Sequence, residues 1–285
     1  MRFETVIFAG GGNRCFWQAG FWRAVEGAFE RPPKRLLGVS AGAMVACCAQ
    51  ARLVDRFPAY NRDVFDANAR NFDAAELFRG RNPFPHPRIV REGLDAVFDA
   101  EALRRLRDGI PVYVLASILP RHLPAAASSL AAQVAYVLER RVGRTLHGNW
   151  GMRIGFRPHW QAAASCPDPG ALRDLLVASS AIPPAFGVQR LHGARMMDGG
   201  FVGNALIEFD ALEDGEALGR RLVLVTRDDW EIPEESEDLL YVRPSRSVPV
   251  TKLDATSGDR IQAAFELGFE DGQQFVASRR MDDCA

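Results

Sequence analysis

Residues 35–50 read RLLGVSAGAMVACCAQ, and two elements meet inside them at one serine. Leu36-Leu37-Gly38-Val39 is a short apolar run of strand length, and the small apolar residues from Ala41 onward read as a helix. Ser40 stands at the join, with Gly38 two places before it and Gly42 two places after. Strand, sharp turn at serine, then helix is the context that a G-x-S-x-G nucleophile elbow requires. A helix starting at Ala41 would also favour negative charge on the serine oxygen. The same serine equally suits a helix N-cap. The rest of the chain must therefore supply a base and donors for an oxyanion.

Outward from this stretch the chain alternates strands and helices. Strands are predicted at Val6–Ala9, at RLLGV, at PVYVLASIL from Pro111, at GMRIGF (151–156), at ARMM before Asp198, at RRLVLVTR (220–227) and at DLLYVRP (238–244). Helices are predicted from Phe16 toward Pro32, after Ser40, in short pieces over 58–107, over 125–143, over ALRDLLVASS (171–180) and over 259–278. The alternation predicts a mostly parallel α/β sheet with helices on both faces. No linker or repeat divides the chain, so one domain over residues 1–285 is expected.

Composition excludes several classes. With 35 basic and 36 acidic residues the net charge is −1, so no global field draws the chain to nucleic acid. The five cysteines (Cys15, Cys47, Cys48, Cys166, Cys284) include no CxxC and suggest reduced thiols in a cytoplasmic protein. The N-terminus has too short an apolar run for a signal peptide, and no stretch reaches the roughly 18 apolar residues of a spanning helix. Any membrane contact is expected to be peripheral. No two of His86, His122, His147, His159 and His192 have metal-ligand spacing, so neither a metal nor another cofactor is expected. Oligomeric state is not legible.

A second glycine signal follows the first strand: Gly10-Gly11-Gly12-Asn13-Arg14, then a helix. Glycines bring bare N–H groups close to a ligand, and a helix N-terminus adds positive partial charge, which suits a phosphate cradle or an oxyanion hole. A tight structural turn is the plain alternative. A dinucleotide fingerprint would need glycine where Cys15 sits, and a P-loop ending is absent. For the base, a Ser-Asp-His order with a C-terminal histidine is excluded, since the last histidine, His192, precedes Asp198. Asp198-Gly199-Gly200 instead sets a carboxylate at a predicted strand end, the edge of α/β sheets where sites form.

GGGNR, GVSAG, ASSAIPPAF (178–186) and DGG occur in an order and spacing that resembles the patatin-like phospholipases over roughly residues 4–210, and ELGFEDGQQF (266–275) resembles the family's ending. The resemblance implies a three-layer α/β/α sandwich, hydrolysis of lipid acyl esters, and no metal in the catalytic step. It implies Ser40 as nucleophile, Asp198 as its partner in a dyad without histidine, and Gly10, Gly11, Gly12 and Asn13 as the oxyanion loop. Gly38, Gly42, Gly199 and Gly200 support the motifs. Arg14 matches a family basic residue, suited either to an anionic head group or to an ion pair that pins the loop. The chain departs from the pattern at Cys15, where glycine is usual, and at Leu206, near which the family has proline; Asn204 matches a family asparagine.

The expected activity is hydrolysis of phospholipid or lysophospholipid acyl esters. A neutral-lipid or small-ester hydrolase, a binding or storage protein with an idle dyad, and a signal-activated membrane-degrading effector remain open. Residues 120–150 form a candidate lid or insertion: Leu130, Val134, Val137, Leu138 and Val142 make one apolar stripe beside Arg140, Arg141 and Arg144, suited to an anionic membrane or to packing on the sheet.

Overall fold

The computed structural model describes residues 1–121, 124, 150–206, 209–213, 215–228 and 236–282. Strands β1 (Thr5–Phe8), β2 (Arg35–Val39), β3 (Val112–Ile118), β7 (Arg221–Leu224) and β8 (Leu239–Val242) run parallel in the order β3-β2-β1-β7-β8. Antiparallel strands complete the sheet beyond β3: β4 (Arg157–Ala162), β5 (Gln189–Leu191) and β6 (Ala194–Asp198). The result is an α/β fold with a mostly parallel central sheet flanked by helices.

Alternation along the parallel strands divides two cores. Val6, Phe8, Leu36, Val112, Val114, Leu222 and Leu224 face one side, where they meet the helices α1 (Phe16–Val25), α2 (Ala41–Ala51), α5 (His86–Val97), α6 (Ala100–Arg107), α8 (Pro169–Ser179) and α9 (Gly258–Asp282). Between α2 and α5 lie α3 (Arg56–Ala67) and the short α4 (Ala74–Phe78). Ile7, Leu37, Val39, Leu115 and Val223 face the other side and pack with Phe156, Phe201, Leu206 and Leu212. Burial on both faces is why these strands read as continuous apolar runs rather than as clean alternation. One polar contact ties the chain ends together inside the first core: Trp17 Nε1 on α1 donates to Asp271 Oδ2 on α9 at 2.7 Å.

One predicted strand is corrected. GMRIGF is not extended: Trp150–Arg153 form a helical turn, α7, and Gly155 has φ +95°. The turn closes by a bond from the Phe156 amide to the Gly151 carbonyl at 2.9 Å, and the strand begins only at Arg157. Short apolar runs fit helix and strand equally; here Phe156, only 2% exposed, anchors the turn beside Phe201. The short β5 strand was not legible, being three residues with mixed polarity. The stripe at 125–145, and all of the candidate lid at 120–150 except residues 120, 121, 124 and 150, lie outside the described residues. Among the described residues no helix is long and apolar enough to cross a membrane.

Candidate active site

The site arises from a change of partner along β3. Val112–Leu115 pair with β2, and Ala116–Ile118 pair with β6, while β4 follows Tyr113–Ile118 throughout. Since β4 occupies one edge over this whole range, β2 and β6 must share the other edge end to end. Val39 is the partner of Leu115 and Asp198 the partner of Ala116, so the residue leaving β2 meets the residue ending β6. That residue is Ser40. Its Oγ donates to Asp198 Oδ2 at 2.6 Å, with both side chains buried.

Ser40 has φ +58° and ψ −137°, a conformation that a non-glycine residue holds only at a cost of about 1–3 kcal/mol. The turn is tight enough that a Cβ on Gly38 would lie 2.4 Å from Ala43 Cα, and one on Gly42 2.3 Å from the Phe8 carbonyl oxygen. Both motif glycines are therefore required by close approach. The Ser40 side chain does not cap α2, so the N-cap reading gives way to the bond with Asp198.

The sequence did not single out Ser179, at the end of α8. Its hydroxyl donates to the Leu115 carbonyl at 2.6 Å and accepts from the Ser40 amide at 2.9 Å, with no exposure of the side chain. It thus links the elbow to β3 where β2 turns away. Its signal was present in ASSAIPPAF, but nothing in that run says which serine faces inward.

Asp198 is fixed from several directions. Its Oδ1 accepts from the Gly200 amide at 2.7 Å, which leaves Oδ2 toward Ser40. Its own amide bonds to the Ala181 carbonyl, and its carbonyl accepts from Ser117 Oγ at 2.8 Å. Gly199 lies against the Leu115 carbonyl with no room for a side chain. Burial pushes the Asp198 carboxyl above its ordinary value of 3.8, opposed by the Lys252 charge, the Ser40 hydrogen bond and the Gly200 amide. No described histidine bonds to either residue: His86 Nε2 pairs with the Leu253 carbonyl, and His192 with Gln161. His122 and His147 lie outside the described residues.

The glycine loop crosses beside Ser40. A Cβ on Gly10 would come within 3.3 Å of the Ser40 Cβ. The Gly10 amide donates to the Asn204 carbonyl and the Asn13 amide to the Lys252 carbonyl, so these two of the four expected oxyanion donors are engaged. The Gly11 amide faces the Cys15 sulfur. Gly12, at φ +58°, lines the cavity with Asn13. Asn204 Nδ2 and Thr226 Oγ1 both hold the Gly10 carbonyl at 3.3 Å, and Gln18 Nε2 ties the Ala9 and Leu224 carbonyls together. Arg14 is half-buried in the turn Gly12–Cys15.

The departures from the motif are accommodated. Cys15 has φ −67°, so no glycine is needed there. Burial raises its thiol to about 12, so it packs rather than reacts. Leu206 has φ +58°, which a proline ring could not adopt.

Ser40 opens onto a cavity walled by Phe16, Met44, Val45, Phe57, Phe65 and Ile89. The model of the family described as Patatin-like phospholipase matches residues 6–210. The chain belongs to this family. No curated protein matches it. Among solved structures it is similar to "Crystal structure of VipD from Legionella pneumophila", at 12% identity and a TM-score of 0.47, over 98% of this chain and 67% of that one. Family membership points to lipid acyl hydrolase activity, and the matched range holds the glycine loop, the elbow, ASSAIPPAF and DGG.

Proposed function

We propose that the chain hydrolyses acyl esters of phospholipids or lysophospholipids, with Ser40 as nucleophile and Asp198 as the only base. The observation that carries this reading is the 2.6 Å bond between a buried serine and a buried carboxylate at the head of an apolar cavity. An aspartate near its ordinary value is a weak base for a serine hydroxyl, and burial corrects that in the needed direction. Asp198 Oδ2 takes the Oγ proton as the oxygen bonds to the acyl carbon, and the carbonyl electron pair moves onto the acyl oxygen. The Gly12 amide and the N-terminus of α2 are the donors proposed for that charge; a well-placed donor contributes about 3–4 kcal/mol. Collapse expels the alcohol, which takes the proton from Asp198. Water then attacks the acyl-enzyme with Asp198 as base again, releasing the fatty acid and free Ser40.

Incubation with phosphatidylcholine, lysophosphatidylcholine and triacylglycerol, with released fatty acid read by mass spectrometry, tests this. Release from the phospholipids is expected. Release from triacylglycerol alone would make the chain a neutral-lipid hydrolase. No release from any of them, with Ser40 inert to a fluorophosphonate, would make it a binding protein.

Ser179 provides a further check. Ser179→Ala leaves the buried Ser40 amide and Leu115 carbonyl without their hydroxyl partner, which should cost about 2 kcal/mol of unfolding free energy in urea titration. A shifted nucleophile should also lower kcat with KM little changed. A rise in KM alone would assign Ser179 to binding instead.

A further inference from the structure

Five large apolar side chains are exposed among the described residues, and three of them fall within seven positions: Phe72 (46%), Leu77 (55%) and Phe78 (93%). A fourth, Leu253 (45%), lines the cavity that holds Ser40. The two regions are physically joined. Asn71 bonds to Asp254 Oδ1 and to the Ala255 amide, the Phe72 ring lies 5.3 Å from that of Phe84, and Asn82 Nδ2 donates to the Ala185 carbonyl. Ala255 and Phe186, next to Ala185, are cavity walls. The segment 71–84 is thus fastened to two sides of the cavity, with its apolar tip in solvent.

Charge around the tip is sorted by height. Arg70, Arg79 and Arg81 are 60–66% exposed, whereas Asp73 is 39% and Glu76 25% exposed. Arg79 and Arg81 share the single Glu76 carboxylate, at 2.6 and 2.7 Å, and Arg70 lies 3.9 Å from Asp73. Three guanidiniums against two carboxylates leave this rim positive on a chain of net charge −1. Aromatic and aliphatic tips ringed by outward arginines are the composition of an interfacial anchor, and the sign suits acidic head groups. An exposed apolar patch rimmed by polar residues marks an interaction surface.

We propose that Phe72, Leu77, Phe78 and Leu253, with Arg70, Arg79 and Arg81, dock the chain on an anionic lipid bilayer so that the cavity mouth faces the membrane. The proposal draws on the acyl-hydrolase reading for its purpose, but binding is measurable without turnover, so the two fail separately.

The test is sedimentation with vesicles of phosphatidylcholine containing about 30% phosphatidylglycerol, which supplies the negative surface, using Ser40→Ala as the parent. Adding Leu77→Ser and Phe78→Ser, both at exposed positions, should weaken binding at least tenfold, with circular dichroism unchanged. Adding Arg70→Gln and Arg81→Gln instead should weaken binding to these vesicles and not to pure phosphatidylcholine. Unaltered binding in the serine variant overturns the proposal. So does a parent that dimerises by light scattering, fails to sediment with vesicles, and becomes monomeric when Leu77 and Phe78 are changed, since the patch is then an interface between copies. In the chain with Ser40 intact, vesicle binding without fatty-acid release would count against the catalytic reading alone.

Discussion

Ser40→Ala is expected to abolish fluorophosphonate labelling and to lower ester turnover by at least about ten-thousandfold, roughly 5 kcal/mol of barrier. The magnitude follows from the geometry: the described hydroxyl bonded to the Asp198 carboxylate is that of Ser40, and the nearby thiol of Cys15 is held protonated by burial. Undiminished labelling in the variant would put the nucleophile elsewhere. The backbone supplies an independent check. At φ +58° alanine is strained where glycine is not, so Ser40→Gly should melt higher than Ser40→Ala although both are inactive. Equal melting temperatures would mean that the elbow relaxes without the hydroxyl.

Asp198→Asn should reduce turnover at least a thousandfold, about 4 kcal/mol, because an amide keeps the shape but cannot accept the serine proton. Its effect on stability has the opposite sign. The carboxyl in the folded chain is pushed above 3.8, so folding favours the protonated form. Below 3.8 both folded and unfolded chains are protonated there, and Asp198 adds no pH dependence. As pH rises through the raised value the fold must hold a buried charge, and stability is lost. The asparagine variant escapes that loss, so it should melt no lower than the parent near neutrality, with the difference closing in acid. The same ionisation sets activity, since only the carboxylate is a base; kcat/KM should fall on acidification at a pH above that of an ordinary aspartate. Melting curves and rates across pH test both. A stable variant that still turns over esters would sink the dyad.

Much of this was legible before any coordinates. RLLGV matches β2 residue for residue, and α2 begins at Ala41, one place after Ser40. These elements are strongly patterned locally, one by apolar residues buried on both faces and one by a run of small apolar residues. The order of GGGNR, GVSAG, ASSAIPPAF and DGG was enough to imply the family. Where local pattern was weak, as in GMRIGF, the reading failed, because a glycine turn and one buried phenylalanine outweighed it.

What the sequence determined by itself was which residues stand at strand ends and sharp turns, since backbone sterics and apolar periodicity act between near neighbours. It could not determine which of those ends meet. Ser40 and Asp198 are separated by 158 residues, and they touch because β2 and β6 share one edge of β3 in abutting register. The same holds for Ser179, drawn to the elbow by a buried amide and carbonyl that β-pairing leaves open, and for the Gly10 and Asn13 amides, taken by the Asn204 and Lys252 carbonyls. Only tertiary structure decided these partners, because buried polar groups must be satisfied by whatever distant segment packing brings within about 3 Å.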